Sequence, residues 1–275
     1  MKGTASHRPV HEWLLLFVAL IIVGSIVITC WQYFGGLESR EELARKWTRD
    51  RLVHLLLGPE QVACYLCFTW AGLILIRRYW EVRCQRRVFH LGLLPTEKGV
   101  RILWKDAFAL LHKLEDVTGK RPYILAQLIR TGLEKFASAR STSGVAEAVH
   151  NRAEVEMSHL AATMAVVHYL VWAIPAIGFV GTVRGLGGAF GADATDFALY
   201  IAQAKDQLKI AFDCTLIALL LSLLLMFLLH LVQRAEETLV LDAETYCQEH
   251  MLQRLYEPQH NHDDQSVYPG TRFAR

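Results

Sequence analysis

The chain has 275 residues, of which 53% are hydrophobic and 20% are charged. Soluble domains carry about 45–50% apolar and about 25% charged residues, so this chain is too apolar for an ordinary cytosolic enzyme and far too apolar for a disordered protein. A formal net charge of +2 argues against a broad nucleic-acid-binding surface. The six cysteines are scattered, mostly in or beside apolar runs, which argues against a disulfide scaffold.

Three apolar segments are long enough for membrane-spanning helices, each of which needs about 20 apolar residues. They are 13–34, about 160–183 and the leucine-rich segment at about 210–233. The first has aromatic residues near both ends, as expected at the two membrane interfaces, and its apolar run is too long for a signal peptide. The second contains Pro175, which a membrane helix tolerates where neighbours satisfy the freed carbonyl.

A further segment, 61–76, is free of charge but has only 16 residues, between Glu60 and Arg77-Arg78. Two interpretations stay open at this length. The segment crosses the membrane with snorkelling arginines and Trp80 as anchors, or it forms an embedded hairpin. A crossing is favoured, and it gives four spans, whereas a hairpin gives three.

The lysine and arginine counts predict the orientation. The stretch 77–156 contains 15 of these residues, whereas the loop at about 185–209 contains only Lys205 and Lys209. The positive-inside rule therefore places 77–156 and the C-terminal tail in the cytoplasm and the loop outside. With four spans the N-terminus is also cytoplasmic. The segment 35–60 then faces outside although it carries five basic residues, which is at odds with the rule.

We predict four parts from these assignments: an N-terminal membrane region (1–80), a cytoplasmic helical domain (81–156), a second membrane region (157–240), and a C-terminal helix with a polar tail (241–275). A capping box, Ser39-Arg-Glu-Glu42, predicts a short helix to about Leu57 that Gly58-Pro59 ends. Connections are predicted at 118–122 and 138–144, and a helix from 145 runs into the third span.

In the cytoplasmic part, apolar residues recur at nearly helical spacing: Leu103, Phe108, Leu111 and Leu114, and again Ile124, Leu128 and Phe136. The helix of the fourth span is expected to continue beyond Gln233 as an amphipathic helix. From about Pro258 the tail is polar, and we expect it to be disordered.

The third and fourth spans each carry a row of small residues. Gly178/Thr182 and Gly181/Gly185 are small-xxx-small pairs, which let helix backbones approach closely. In the fourth span a narrow, hydroxyl-bearing face stands against a leucine background, which suits either a helix interface or a hydrated pore. Its members are Ala211, Thr215, Ala218 and Ser222.

Two charges, Arg184 and Asp213, lie at the outer ends of these spans. Charges at membrane depth are costly and indicate function by default. Each lies two residues outward of a threonine, about 200° around the helix, so they face away from the threonines and can pair with each other or with a neighbouring subunit. In the alternative interpretation, both simply reach the outer interface.

No catalytic site, cofactor site or metal site is predicted. The phosphate-loop, GxSxG, HExxH and zinc patterns are absent, and the glycine-rich Gly185-Leu-Gly187-Gly188 follows a membrane helix instead of a strand. Cys64 and Cys67 form a CxxC inside an apolar helix, where packing is favoured over metal or redox work. The tail residues His260, His262, Asp263 and Asp264 are more typical of a solvated tail, and His168 of a packed or interfacial histidine.

The third-span sequence IGFVGTVRGLGGAF and the fourth-span sequence IAFDCTLIALLLSLL resemble the two pore helices of the MotA/TolQ/ExbB proton channel family. Thr182 and Thr215 fall on the two pathway threonines of that family, and the resemblance covers roughly 157–240. The chain departs from ExbB-type motifs at Arg184, which stands where they have tryptophan, and at Ile210, which stands where they have glutamate. The order of spans is more similar to MotA than to ExbB.

The resemblance implies an all-α integral membrane protein whose last two spans line a pore in an oligomer. It implies a pentamer of this subunit around two copies of a single-span ExbD/TolR/MotB-like partner with an ion-binding aspartate. Thr182, Thr215 and Ser222 would line the path of H+, or alternatively Na+, while Pro175, Gly178, Gly181, Gly185, Ala211 and Ala218 pack the helices. The expected partners are then lipid, the ion and the second subunit, with no nucleic acid and no cofactor.

This resemblance predicts a bacterial inner-membrane motor or channel subunit. The alternative is a non-conducting membrane scaffold or sensor that acts through its cytoplasmic helical domain. A membrane enzyme is disfavoured because the sequence contains no catalytic constellation.

Overall fold

The computed structural model describes residues 10–35, 58–94, 102–103, 106–119, 123–139, 141–191 and 197–255. In this part of the chain the α-helices are α1 (Val10–Gly35), α2 (Pro59–Arg86), α3 (Asp106–Thr118), α4 (Ile124–Ala139), α5 (Val145–Thr163), α6 (Ala165–Phe190) and α7 (Phe197–His250). Short 3-10 helices follow at Arg87–Leu91 and Leu252–Arg254. The described residues contain no strand beyond an isolated bridge between Ile102 and Leu255, so the prediction of an all-α fold is confirmed.

Three helical stretches are long and apolar enough to cross a membrane, namely Pro59–Leu91, Val145–Phe190 and Phe197–Arg254. The segment 61–76 thus lies inside the 28-residue helix α2, which is about 42 Å long at 1.5 Å per residue. This exceeds the hydrocarbon thickness of about 30 Å. Helix α1 contributes a shorter apolar stretch, Trp13–Thr29.

The prediction of a continuous helix from 145 into the third span needs a small correction. Met164, with φ −86° and ψ −4°, separates α5 from α6 by one residue. The helix after Gln233 is present as expected, since α7 ends only at His250. The helix predicted at 39–57 and the polar tail lie outside the described residues.

The chain divides into two compact units. The first unit comprises Met1–Cys84 and Ser158–Glu237. Its core is formed by side chains of α2, α6 and α7 together with Met164, and Leu15 of α1 packs against it. The buried residues are Cys64, Ala71, Ile74, Leu75, Met164, Val167, Leu170, Val171, Ile174, Ala218, Leu225, Leu229 and Val232.

The outer surface of the first unit is apolar. Trp172 is 81% exposed, and large leucine, phenylalanine and tyrosine side chains on α6 and α7 are exposed as well. Soluble monomers rarely present contiguous apolar patches larger than a few hundred Å². This surface therefore suits hydrocarbon, as the membrane prediction requires.

The second unit comprises Gln85–Met157 and Thr238–Arg275. Large side chains fill its interior, among them Leu128, Ile129, Leu133, Phe136 and Met251. Gly119, with φ +58°, takes a left-handed backbone conformation immediately after α3 and ends that helix.

Only some of the regularly spaced apolar residues at 103–114 lie in the core of this unit. Leu114 is buried, but Phe108 is exposed, and Leu103 lies before the helix, which begins at Asp106. The Asp106 carboxylate accepts a hydrogen bond from the Leu103 backbone N–H (3.3 Å). This contact places Leu103 in the turn before the helix.

Candidate functional site

Helices α6 and α7 approach so closely that Gly178 and Gly185 of α6 have no room for a side chain. A Cβ atom at Gly178 would lie 2.5 Å from the Ala218 Cβ, and one at Gly185 would lie 2.6 Å from the Ala211 Cβ. These distances are shorter than carbon atoms tolerate. The small residues singled out in the third and fourth spans thus face one another within one subunit.

Thr182 and Thr215 meet in this narrow contact. Their hydroxyl groups are hydrogen-bonded to each other. The Thr215 Oγ1 also lies 3.1 Å from the Gly178 carbonyl oxygen and 3.2 Å from that of Ala211. The Thr182 Oγ1 lies 3.3 and 3.4 Å from the same two oxygens. Four oxygen atoms therefore converge, but the two hydroxyls supply only two protons.

The surplus of acceptors gives this four-oxygen cluster its chemical character. Each hydroxyl can both donate and accept, so the pair can exchange hydrogen-bond partners without moving the helices. Acceptors that outnumber donors suit a cation, a water molecule or a protonated carboxyl group. Both threonines are half-buried.

Ser222 has a structural task that sequence reasoning missed. Pro175 has no N–H, so the carbonyl oxygen of Val171, four residues earlier, loses its helical hydrogen bond. The Ser222 hydroxyl donates to that oxygen at 3.0 Å. The serine thus satisfies the carbonyl that the proline leaves free, as membrane helices with proline require. The sequence does identify the Val171 carbonyl as the acceptor that Pro175 leaves free. It does not identify the donor, because that depends on how the helices pack.

Arg184 has a different partner from the one suggested by its sequence position. Its two terminal nitrogens lie 2.8 Å from the two carboxylate oxygens of Glu60, which is a bidentate ion pair. The ion-pair partner of Arg184 is therefore Glu60, whereas the sequence had suggested Asp213. Asp213 is half-buried on α7 and also makes an interaction. Sequence reasoning missed Glu60 because it lies 124 residues before Arg184.

A second ion pair joins α2 to α7 at the other end of α2. The Arg78 Nη1 lies 3.7 Å from Glu236 Oε1, with the two side chains 19% and 5% exposed. Glu60 and Arg78 are 18 residues apart, or about 27 Å along a helix. This separation is close to the hydrocarbon thickness of about 30 Å. The apolar part of α2 therefore lies between two charged ends.

A polar contact lies near this second ion pair. His168 on α6 and Gln233 on α7 are joined through their Nε2 atoms at 3.0 Å. Along α6 and α7, the His168–Gln233 contact lies on one side of the hydroxyl residues, and Arg184 lies on the other. The histidine is not a metal ligand in a recognisable cluster, because the described residues contain no group of three or more potential ligands.

Cys64 is fully buried in the core of the first unit. Its thiol lies 3.7 Å from the Ile174 carbonyl oxygen, whereas Cys67 is only partly buried. The neighbouring Gln61 is 1% exposed, and its amide nitrogen and oxygen make no hydrogen bond to any described residue. The first turn of α2 therefore places both a charged and an unsatisfied amide side chain inside the first unit.

One comparison with known proteins finds a similarity in this part of the chain. Residues 120–245 match the model of the MotA/TolQ/ExbB proton channel family. The match includes α4, α5, α6 and nearly all of α7. It therefore extends beyond the third-span and fourth-span sequences on which the resemblance was based. No curated protein and no solved structure matches the chain. Through this segment, the chain is similar to the MotA/TolQ/ExbB proton channel family.

Proposed function

We propose that this protein is an ion-conducting subunit of a bacterial inner-membrane motor complex. In this proposal five copies surround two copies of a single-span partner, and H+ is the transported ion, with Na+ as the alternative. The large basic stretch and the C-terminus face the cytoplasm, and α1, α2, α6 and α7 all cross the membrane. The observation that carries the proposal is the four-oxygen cluster of Thr182 and Thr215 inside the segment that matches a proton channel family.

The two ion pairs of α2 support the four-span topology. Charged residues prefer the membrane interfaces, and a charge at the bilayer centre is costly. Glu60 and Arg78 are each paired, at positions separated by about the hydrocarbon thickness. A hairpin embedded in one leaflet would bring both charges to the same side, so this spacing favours a crossing.

The proposed mechanism uses the hydroxyl pair as a relay beside the partner's carboxylate. Thr182 and Thr215 hydrogen-bond the ion, its water or the protonated carboxyl, and switch between donor and acceptor roles as the proton is taken up and released. An ion that crosses a potential of 100 mV releases about 2.3 kcal/mol. The proposal is that this energy turns the ring of subunits about the partner.

Substitution of either threonine by valine tests this path. Valine retains the shape but removes the hydroxyl, so one hydrogen bond to a charged or transferring group is lost. A loss of about 1.5–3 kcal/mol on the barrier lowers proton flux roughly 10- to 150-fold. Flux is measured in vesicles that contain the complex purified with its associated subunits. Thr182→Ser should retain flux, because the hydroxyl remains.

Thr29→Val is the matched control. Thr29 lies on α1, and its exposed hydroxyl donates to the Ser25 carbonyl of the same helix at 2.7 Å. Normal flux in Thr182→Val and Thr215→Val, with assembly intact, would exclude the proposed path. A wild-type complex that conducts no ions would instead favour the scaffold or sensor, and the second unit would then be the part to probe for partners.

A further inference from the structure

The ion pair of Glu60 and Arg184 is asymmetric. The Glu60 side chain is only 12% exposed, whereas that of Arg184 is 56% exposed. Both contacts between the guanidinium and the carboxylate are 2.8 Å long. The carboxylate is thus held inside the helix bundle, and the positive charge lies at its surface.

This pair lies directly beside the hydroxyl cluster. A Cβ atom at Gly181, the residue before Thr182, would lie 3.3 Å from the Glu60 Cγ and 2.5 Å from the Cys214 sulfur. Cys214 in turn precedes Thr215. Glu60 therefore packs against the residue adjacent to the first threonine, and Arg184 is two residues beyond that threonine. A charge at this position acts on any cation that approaches the cluster from this end.

The two charges have opposite effects on such a cation. An arginine at the mouth of a cation path repels the ion it should admit, and fields in clefts change arrival rates by about 10- to 1,000-fold. A carboxylate in contact with the guanidinium cancels most of that field. Glu60 lies outside the segment 120–245 that matches the family model, so the carboxylate of this pair comes from a part of the chain that the family match does not include.

We propose that Glu60 neutralises Arg184 at the entrance of the ion path and thereby controls how readily cations reach the Thr182–Thr215 cluster. The proposal rests on the proposed function, since it concerns the entrance of the same path. In this role Glu60 is a specificity-determining residue for cations, and Arg184 is the charge that it masks.

A purely mechanical role makes different predictions. If the pair only held α2 against α6, Glu60→Gln would weaken that contact, and removing Arg184 as well would not restore it. Under electrostatic control, Glu60→Gln and the double variant differ. Glu60→Gln leaves an uncompensated positive charge, whereas the double variant Glu60→Gln/Arg184→Gln leaves none.

The experiment measures the initial rate of proton uptake by vesicles that contain the purified complex, at low and high ionic strength set with choline chloride. Glu60→Gln should lower the rate about tenfold at low ionic strength. The loss should shrink as salt rises, because the Debye length falls to about 10 Å at 0.1 M and about 3 Å at 1 M. The double variant should recover to within about threefold of the wild-type rate.

Glu60→Gln should fold normally, because glutamine has the same shape and can still accept a hydrogen bond, and the half-exposed Arg184 can turn to solvent. The double variant removes both charges and leaves no buried ion unpaired. Arg184→Lys retains the charge but not the bidentate contact, so it should conduct normally. Assembly of each variant is checked by the mass of the complex.

A double variant as slow as Glu60→Gln, or a loss that salt does not change, would overturn the proposal and leave the mechanical role. A normal rate in Glu60→Gln, in a complex that Thr182→Val still blocks, would also overturn it while the proposed function stands. A wild-type complex without any proton uptake would remove both together. These outcomes distinguish a failure of the proposed role of Glu60 from a failure of the proposed ion path.

Discussion

The two units differ in where many of their largest apolar side chains lie. In the second unit, Phe136, Leu128 and Met251 are buried. In the first unit, Trp172, Tyr169 and Leu223 are exposed, and the contact between α6 and α7 is made by glycine and alanine. Water drives large apolar groups inward, whereas helices in lipid associate through close backbone packing of small residues. The comparison shows that one chain is adapted to two solvents.

The largest expected effect contrasts Phe136→Ala with Trp172→Ala. Phe136 is 1% exposed, so its truncation leaves a cavity and costs about 3–5 kcal/mol of the second unit's stability. Trp172 is 81% exposed, and its loss should change the stability of the first unit by less than about 1 kcal/mol. Thermal unfolding of both variants in detergent measures the difference. Equal shifts would contradict the burial of Phe136 and the exposure of Trp172.

The two units also differ in the burial of their ion pairs, which should change how much stability each pair contributes. Arg78→Gln leaves Glu236, which is 5% exposed, without its partner, and the expected cost is about 3 kcal/mol. Arg130→Gln in the second unit is the matched control, since Arg130 and Glu134 are 55% and 53% exposed. Exposed pairs of this i,i+4 kind contribute only about 0.3–0.5 kcal/mol. Similar unfolding midpoints for the two variants would argue against a buried role for the Arg78–Glu236 pair.

Glycine substitutions test the helix contacts directly. Gly178→Ala brings two Cβ atoms to 2.5 Å and should cost about 2 kcal/mol through overpacking. Gly132→Ala in the second unit meets the terminal methyl group of Met251. That flexible side chain can move, so the cost should be smaller. Gly187→Ala has nothing within 4 Å and serves as the control on α6. A different order of unfolding midpoints would contradict the close α6–α7 contact.

The smallest expected effect is a pH dependence in the second unit. The hydrogen bond from His150 to Glu244 and the carboxylate charge raise the pKa of His150 above 6.5. The protonated form is therefore favoured in the folded state, and this stabilisation is complete below pH 6.5 and is lost as the pH rises through the raised pKa. His150→Gln should flatten the pH profile of the unfolding midpoint in that range. An unchanged profile would show that the contact contributes nothing.

Local patterns were enough to predict most helices. Runs of apolar residues and the Gly/Thr rows predicted α6 and α7, and the resemblance implied that Thr182 and Thr215 line one ion path. Their direct hydrogen bond was not predicted. The partner of Arg184 could not be predicted, because α2 is distant in sequence and its packing depends on the whole bundle. The role of Ser222 was missed for the same reason, since only the packing of α7 against α6 brings its hydroxyl to the Val171 carbonyl. The turn at Met164 has no sequence signal that we recognise.

The most direct test of the central claim is the mass of the complex purified in a native-like membrane mimetic, with and without candidate single-span partners. The account predicts five copies of this chain with two copies of a partner, because the half-buried threonine cluster then faces a second subunit that supplies the carboxylate. A monomer or dimer that recruits no partner would contradict the account, since no shared path would exist for the ion.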